Sequence, residues 1–365
     1  MPSFIEQYAS EIRAKSGRFA ECFGSVPRND VERRLADEIA RNWMPLPQTT
    51  DPRPRATFAV DGASASRPLM NGASFLVCQS LLAGKDVEES MVAVEVVRGG
   101  DVRDANRGLD RLRQFLEFRI AADHLDRLAG GMLLIDGSLL SDLSHMLYLR
   151  PMRLGGYPDL RAALIGAYLD LVEGCRQRNI LLVGVAKSSR DSMLCESLLD
   201  TTSPKDRLCD AEILHRFLGG APGYTRPILF GSDGTSARGD DAGFEPDDAI
   251  MSRVQKMPCF AVFYVRLAQG EDALRVDVTG DGIGCTEALL SFKRAWGDAD
   301  AVAPVVRRLV SQHGGASVYN APLYAVDRMV RLSSQTVDGA YMALLRDATG
   351  HYVMADRGTR RFTRG

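Results

Sequence analysis

The sequence predicts an α/β fold: a mixed sheet flanked by helices, with a helical N-terminal arm and C-terminal α+β additions. Two patterns support this assignment. Short apolar runs rich in β-branched residues alternate with longer segments in which Leu and Ile recur at helical spacing. The composition of the 365-residue chain, 45% apolar and 25% charged, is that of a folded globular protein and excludes a disordered or fibrous one.

The N-terminal arm is predicted to be helical. Residues 3–23 and 30–43 have amphipathic helical patterns. Asn29 followed by Glu32 resembles a capping box, which indicates where the second helix begins. Four prolines in 44–55 end the helical pattern and predict a linker to the main body of the chain.

The main body begins with three strand patterns and continues with two helix–strand pairs. In MVAVEVV, apolar residues surround the single Glu95, as in a half-buried strand. Two helical crossovers after a three-stranded meander add parallel strands to the sheet. That is the element order of a ribonuclease H-like core. The strands are predicted at 57–62, 74–82, 90–98, 131–138 and 179–187, and the two helices at 103–128 and 159–178.

The pattern is looser after this core. Residues 219–248 are rich in Gly, Asp and Ser, which predicts a mobile loop. Apolar runs at 260–268 and 273–278 predict a hairpin. Further helices are predicted at 284–296, 300–313 and 322–334.

The element order predicts two domains. The helical arm is assigned to 1–50 and one larger domain to 51–365. Within the larger domain, the ribonuclease H-like core spans 56–190 and its C-terminal completion spans 250–345.

Composition excludes several classes of protein. The sequence has no run of 18 apolar residues, so no membrane span is expected. Its first residues lack the basic-then-apolar pattern of a signal peptide, and the seven Cys are dispersed, so we expect a cytoplasmic protein with reduced thiols. The formal net charge of -2 excludes a uniformly basic nucleic-acid coat. It leaves room for a local basic patch, such as the arginines that bunch between residues 98 and 113.

The strongest chemical signal is a repeated strand ending. FAVDGAS and LLIDGSL are apolar runs that stop at Asp-Gly, with Asp61 in the first and Asp136 in the second. If the two strands are neighbours, the carboxylates lie close together and repel each other unless a cation lies between them. Hard carboxylate oxygens are the ligands that divalent cations such as Mg²⁺ and Ca²⁺ prefer. The alternative is that each Asp-Gly is a simple turn.

Two further charged residues are candidates for the same site. Glu117 lies in the helix that connects the two parts of the sheet, and the alternative for it is a solvated helix charge. Lys187 ends the last core strand, where an ammonium can hold a phosphate as a point charge. The alternative for Lys187 is an ordinary surface turn.

A fourth candidate region lies late in the chain, in SVYNAPLYAVDRMVRLS. Tyr319 and Asp327 are eight residues apart, the first in a loop and the second in the helix that follows. The alternative is an amphipathic helix that Asn320 caps, with Pro322 in its first turn.

These segments together resemble the NurA nuclease family. AVDGAS, the helical Glu, LIDGSL, GVAKSS and YNAPLYAVDRMVRLS occur in the family's order over 57–333. The resemblance implies a ribonuclease H-like core and a divalent-metal-dependent deoxyribonuclease, with single-strand endonuclease and 5′→3′ exonuclease activity. It also implies Mn²⁺ (or Mg²⁺), with two ions expected, as cofactor. The partners that it implies are DNA, a HerA-like hexameric ATPase translocase and a second copy of the chain, in end resection for DNA repair.

The resemblance also assigns the site. Asp61, Glu117 and Asp136 match the family's metal-binding acidic positions, and Lys187 and Tyr319 match its strand-end Lys and late Tyr. Asp327 stands where the family typically has His, and we expect it to act as a fourth metal ligand. The resemblance therefore implies a catalytic set of Asp61, Glu117, Asp136, Lys187, Tyr319 and Asp327.

The departure at Asp327 leaves two other interpretations open. One is a catalytically weak or inactive NurA-like DNA-binding subunit of a translocase complex. The other is an unrelated α/β protein in which the Asp-Gly pairs are only turns.

Overall fold

The computed structural model of the chain describes residues 4–23, 29–48, 54–98, 102–187, 191–200, 208–231, 248–289, 294–351 and 353–355. The helices are α1 (Phe4–Ala14), α2 (Ser16–Phe23), α3 (Asp30–Asn42), α4 (Val102–Asp123), α5 (Leu125–Leu128), α6 (Leu139–Leu147), α7 (Leu160–Gln177), α8 (Met193–Leu199), α9 (Asp210–Phe217), α10 (Asp248–Val254), α11 (Ala299–Ser311), α12 (Ala321–Val330) and α13 (Met342–Thr349). The strands are β1 (Trp43–Met44), β2 (Thr57–Pro68), β3 (Ser74–Gly84), β4 (Val87–Val97), β5 (Met132–Asp136), β6 (Leu181–Ala186), β7 (Gly223–Thr225), β8 (Ile228–Phe230), β9 (Phe260–Arg266), β10 (Leu274–Thr279) and β11 (Ala295–Trp296).

A single mixed sheet organises the fold. Its strand order is β1-β7-β9-β10-β6-β5-β2-β3-β4, and β8 joins it beside β9 and pairs with β11. The pairs β2–β5 and β5–β6 are parallel, whereas β2–β3–β4 is an antiparallel meander. This confirms the predicted α/β class and the strand–strand–strand–helix–strand–helix–strand order of a ribonuclease H-like core. Helix α6, between β5 and α7, was not predicted.

The central strands are apolar on both faces because helices cover both sides of the sheet. Val60 of β2 and Ile135 of β5 pack into one buried cluster with residues of α4, α6 and α7. Ala59 and Leu134, one position earlier on each strand, pack into a second cluster with residues of α11 and α12. Continuous apolar runs are typical of such doubly covered parallel strands.

The N-terminal region contributes to the same core. Leu35 and Ile39 of α3 are fully buried, and β1 pairs with β7 at the edge of the sheet. Asn29 caps α3 by accepting a hydrogen bond from the backbone of Glu32 at 2.8 Å, as the sequence indicates. The carboxylate of Glu32 pairs with buried Arg216 of α9 at 2.8 Å. These contacts tie residues 29–48 to the sheet, and the division of the chain at residue 50 stays a prediction.

Two of the predicted C-terminal elements are wrong. The segment 284–296 is not one helix: a 3₁₀ turn ends at Ile283 and the strand β11 covers Ala295–Trp296. The predicted loop 219–248 contains β7 and β8, and its part at 232–247 lies outside the described residues. By contrast, the hairpin formed by β9 and β10 is confirmed. None of the helices in the described ranges is long and apolar enough to cross a membrane.

Candidate active site

The register of two parallel strands places Asp61 beside Asp136. Val60 pairs with Ile135, and one further step along both strands brings the two Asp residues opposite each other. Neighbouring strands are about 4.8 Å apart. Both side chains point to the sheet face that α12 covers, because they are two residues beyond Ala59 and Leu134 on that face.

The Asp61 carboxylate is buried without a cation. It is 8% exposed, and it accepts a hydrogen bond from the Gly62 backbone N–H at 2.8 Å. Burial raises the pKa of Asp61 to about 6, and the Asp136 and Asp327 carboxylates add to this shift. The Gly62 hydrogen bond and the charge of Arg113 act in the opposite direction and offset only part of this rise in the pKa of Asp61. Among the described residues, the ion pairs of the site involve Glu117, Asp136 and Asp327, and none involves Asp61. The negative charge of the ionised Asp61 carboxylate is therefore not paired with a cation.

Asp136 and Lys187 form an ion pair at the ends of adjacent strands. Asp136 pairs with Val185 in the β5–β6 register, and Lys187 follows Val185 by two residues on the same face. The Lys187 Nζ donates to Asp136 Oδ2 at 2.6 Å. The same ammonium lies 4.7 Å from the centre of the Tyr319 ring, which is within cation–π range.

Tyr319 closes the site from the loop before α12. Its hydroxyl is buried beside the Asp136 carboxylate, and no hydrogen bond of good geometry joins the two groups. Burial, followed by the charges of Asp136 and Asp61, raises the pKa of Tyr319 above its ordinary value, so it stays protonated at neutral pH. A buried hydroxyl that makes no hydrogen bond of good geometry marks a position where a ligand or water can bind.

Asp327 faces the two strand-end carboxylates from α12. The helix begins as the sequence indicates, because Asn320 accepts a hydrogen bond from the Leu323 backbone at 3.1 Å. Leu323 and Val326 pack under the sheet, which sets the position of the helix. The Asp327 carboxylate pairs with Arg331 one turn later at 2.6 Å. It is 32% exposed and thus lies at the open side of the site.

Glu117 reaches the site from the opposite face of the sheet. It lies on α4, is 3% exposed and forms an ion pair with Arg113 one turn earlier. Burial raises the pKa of Glu117 to about 8, because the Arg113 charge offsets only part of the penalty and Asp61 adds to it. A Cβ at Gly62 would lie 2.6 Å from Glu117 Oε1, so the missing side chain makes room for this carboxylate.

Arg113 is a component of the site that the sequence interpretation missed. Its guanidinium pairs with Glu117, and the Asp61 charge helps to raise the pKa of Arg113. From the sequence, Arg113 is expected to belong to the local basic patch between residues 98 and 113. The four-residue spacing from Glu117 on a helix was the signal that could have identified the pair.

The donor set is compatible with a divalent cation. Hard oxygen ligands converge from neighbouring strands. Burial, with a smaller contribution from the Asp136 and Asp327 charges, raises the pKa of Asp61, as expected where a cation is missing. Across the part of the chain that the structure describes, no three His, Cys, Asp or Glu side chains are close enough to hold a metal as they stand. Lys187, Arg113 and Arg331 each pair with one of the candidate carboxylates, so those ion pairs must open for a cation to bind.

Comparison with known proteins agrees with this arrangement. A family profile described as the NurA domain matches residues 55–332. The fold is similar to that of the NurA nuclease from Sulfolobus solfataricus, with a TM-score of 0.59, 17% identity, and coverage of 96% of this chain and 98% of that chain. A crystal structure of NurA matches with a TM-score of 0.57, 14% identity and coverage of 93% and 98%. NurA bound to dAMP and manganese matches with a TM-score of 0.54, 13% identity and coverage of 94% and 96%.

A comparison with curated proteins gives no match. At 13–17% identity the structural similarities establish the fold, whereas the profile match covers most of the chain. It begins two residues before β2 and ends two residues after α12, so it includes the elements that carry all six candidate site residues. The resemblance found in the sequence is thereby confirmed, and the chain belongs to the NurA domain family.

Proposed function

We propose that this protein is a divalent-metal-dependent deoxyribonuclease, a phosphodiester hydrolase that uses Mn²⁺ or Mg²⁺. The observation that carries the proposal is the pairing of Asp61 and Asp136 on adjacent parallel strands, with Asp327 facing them. Membership of the NurA family supports it, as does the description of a structural relative as a nuclease. Another relative is described as bound to dAMP and manganese, a nucleotide and a divalent metal.

Asp61, Asp136 and Asp327 would hold the metal from the α12 face, and Glu117 would complete the set through the gap at Gly62. A bound divalent cation supplies Lewis acidity toward a phosphodiester, and two ions would fit the family expectation. The Lys187 ammonium would then turn from Asp136 to the phosphate of the substrate and counter its charge. The protonated Tyr319 hydroxyl can donate a hydrogen bond to the same phosphate or to an ordered water.

The finer features of the proposal follow from the family. We include single-strand endonuclease and 5′→3′ exonuclease activity, action with a HerA-like hexameric translocase in DNA end resection and repair, and a homodimer in the cytoplasm. The net charge of the chain bears on how it binds DNA. Its net charge of -2 predicts modest, salt-sensitive affinity for DNA in the absence of a partner that delivers the strand.

The test is cleavage of single-stranded DNA with Mn²⁺ and Mg²⁺ by purified protein. We expect Asp61→Ala and Asp136→Ala to reduce cleavage by about 10³-fold or more, because each removes a ligand from the metal that polarises the phosphate. Asp126→Ala is the matched control, since the Asp126 side chain is 88% exposed and pairs with Arg178, away from the site. Wild-type activity in both site variants, with the fold intact by circular dichroism, would overturn the site assignment.

A second candidate function is a DNA-binding subunit that has little or no catalytic activity. The ion pairs on Glu117, Asp136 and Asp327 favour it, because three cations already satisfy these carboxylates. Asp327 in place of the typical family His also favours a subunit with little or no catalytic activity. Binding and cleavage of the same labelled oligonucleotide separate the two functions. Binding that is retained in Asp61→Ala, together with no metal-dependent cleavage by wild type with or without a translocase, supports the second function.

A further inference from the structure

A second charged cluster lies buried on the sheet face opposite Asp61 and Asp136. Arg275 and Asp277 occupy alternate positions of β10, and the side chains of both are fully buried. Arg275 Nε donates to Asp277 Oδ1 at 2.8 Å, and Arg275 Nη2 donates to Asp277 Oδ2 at 3.1 Å. Buried charges of this kind are costly unless each is paired. The hydrogen-bond partners of Arg275 and Asp277 therefore identify the segments that this pair holds in place.

One set of partners fixes the chain immediately after Asp136. Asp277 Oδ2 accepts hydrogen bonds from Ser138 Oγ at 2.6 Å and from the Leu140 backbone at 3.0 Å, so it caps the nine-residue helix α6. The Gly137 backbone donates to Val185 O of β6 at 3.1 Å. This turn crosses β6 over Gly184, where an added Cβ would lie 2.7 Å from the Gly137 carbonyl oxygen.

The other set of partners holds Asp191, the first residue after Lys187 that the structure describes. Arg275 Nη1 donates to Ser141 Oγ at 2.8 Å and also pairs with the Asp191 carboxylate. Ser141 Oγ in turn donates to Asp191 Oδ2 at 3.2 Å. Asp191 lies four residues after Lys187, and its backbone carbonyl accepts from Asp210 of α9 at 2.8 Å. Through Arg275, the start of α6 and the segment after β6 share one buried anchor.

We propose that the Arg275–Asp277–Asp191 cluster is a positioning device for the candidate active site. It fixes the backbone after Asp136 and the side chain of Asp191, four residues beyond Lys187, to the same strand, and so restrains the separation of the carboxylate and the ammonium that meet at 2.6 Å. Fully satisfied buried networks rigidify the groups they join. Because displacement of a reacting group by about 1 Å can lower a rate by about 10²-fold, this rigidity has catalytic consequences. The inference rests on the proposed function, since it assigns the cluster to that same site.

The mild test is the pair Ser138→Ala and Ser138→Thr. The first removes the hydroxyl that donates to Asp277 and that caps α6 by accepting from the Ser141 backbone at 3.1 Å, and the second keeps a hydroxyl for both contacts. We expect Ser138→Ala to lower kcat for Mn²⁺-dependent cleavage by about 10-fold with KM for DNA within about twofold, because the site is displaced while DNA contacts remain. Ser138→Thr should recover most of the wild-type kcat. Equal kcat values for Ser138→Ala and wild type would overturn the inference.

The stronger test is Asp277→Asn, which removes the charge that joins Arg275 to α6. Its matched control is Glu32→Gln, because Glu32 forms a buried ion pair with Arg216 at 2.8 Å in a different part of the core. Both variants should lower the thermal midpoint. Only Asp277→Asn should lower kcat, by about 10²-fold, and weaken Mn²⁺ binding measured by electron paramagnetic resonance.

The two readouts separate this inference from the proposed function. If wild type cleaves no DNA, the proposed function fails, and Mn²⁺ binding by Asp277→Asn against Glu32→Gln still tests the positioning role. If wild type is active and the two variants have the same kcat and the same Mn²⁺ affinity, the cluster stabilises the fold only and the inference is wrong. If Asp277→Asn does not fold, the Ser138 pair decides.

Discussion

At the scale of single residues, the Asp61 carboxylate is the most informative group in the chain. It is buried beside other carboxylates, it forms no ion pair with any residue in the described ranges, and burial raises its pKa to about 6. A core that had only to be stable would replace such a group with an apolar or neutral one. Its presence indicates that the site holds charge for a ligand, and this has a measurable cost in the metal-free protein.

Asp61→Asn should therefore stabilise the metal-free protein in a pH-dependent way. The pKa of Asp61 is 3.8 in the unfolded chain and about 6 in the fold, so ionisation disfavours the folded state. This penalty is present in full above pH 6 and vanishes below pH 3.8. At roughly 1.4 kcal/mol per pKa unit, the variant should gain on the order of 3 kcal/mol in free energy of unfolding at pH 8.

The measurement is urea unfolding in EDTA at pH 8 and at pH 5. The advantage of Asp61→Asn over wild type should shrink to roughly half at pH 5, because Asp61 is then mostly protonated in the folded state while it stays mostly ionised in the unfolded chain. Asp126→Asn, at an exposed position, serves as the control for the change of charge alone. An advantage that is the same at both pH values would contradict the electrostatic explanation.

Lys187→Met should separate metal binding from catalysis. The Lys187–Asp136 pair is partly exposed, and such pairs contribute at most about 1 kcal/mol. Removing the ammonium frees Asp136, so Mn²⁺ affinity should stay the same or rise by up to about fivefold. Cleavage at saturating Mn²⁺ should fall by about 10²-fold, because the phosphate loses its counter-charge.

Isothermal titration with Mn²⁺ and single-turnover cleavage measure these two quantities on the same preparations. Lys256→Met is the control for loss of a positive charge, since Lys256 lies after α10 and outside the site. Loss of Mn²⁺ affinity and of cleavage in equal proportion would instead show that Lys187 supports the metal site itself.

At the scale of secondary-structure elements, the sequence predicted the central sheet well because its strands are buried on both faces. Continuous apolar runs such as GMLLIDGS have no competing amphipathic helical pattern, and the Asp-Gly ending marked where β5 stops. β7 and β8 have only three residues each, too short for any periodicity, so a Gly-rich composition dominated the prediction of a loop.

The candidate site was predictable only in part, because some of its residues belong to local sequence patterns and others are brought together by long-range contacts. Asp61 and Asp136 follow from a local strand signature, and Tyr319 and Asp327 from the family resemblance. The buried cluster around Arg275 depends on contacts between residues more than 80 positions apart, such as Arg275 with Asp191. Such pairings leave no periodic trace in one sequence.

Gly62→Ala tests whether Glu117 of α4 needs the space that Gly62 of β2 leaves open. The added Cβ would lie 2.6 Å from Glu117 Oε1 and 2.8 Å from Arg113 Cγ, so this ion pair must move. We expect a loss of about 1–3 kcal/mol in free energy of unfolding from overpacking, and lower cleavage because Glu117 leaves its position. Gly166→Ala in α7 is the matched control, since nothing lies within 4 Å of its added Cβ.

The control should be neutral or more stable than wild type by up to about 1 kcal/mol, because Ala favours a helix over Gly. Differential scanning calorimetry and cleavage rates of the two variants give the comparison. Unchanged stability and activity in Gly62→Ala would show that Glu117 can occupy another position at no cost, and would remove the reason for placing it in the metal set.

At the scale of the whole molecule, the near-zero net charge of the chain resembles the charge balance at the candidate site, where carboxylates and cations nearly match in number. The site places four carboxylates, those of Asp61, Glu117, Asp136 and Asp327, against three cations, so one more carboxylate than cation is present without a metal. A divalent ion would add positive charge and release side chains toward the substrate. Affinity for DNA should thus depend on the divalent cation as well as on salt.

We expect affinity for a single-stranded oligonucleotide to rise when Ca²⁺, used as a probe of divalent binding, replaces EDTA at constant ionic strength. The rise should be absent in Asp61→Asn, which lacks the charge that holds the ion. Fluorescence anisotropy at several salt concentrations provides the measurement. The same rise in Asp61→Asn would place the effect of the cation outside this site.

The most direct test of the central claim is a crystal structure of the protein soaked in Mn²⁺, with anomalous data collected at the manganese edge. We expect an anomalous peak with carboxylate oxygens of both Asp61 and Asp136 within about 2.5 Å, and the Lys187 ammonium turned away from Asp136. A peak that neither carboxylate contacts, or an intact Asp136–Lys187 pair with no metal at saturating Mn²⁺, would contradict it.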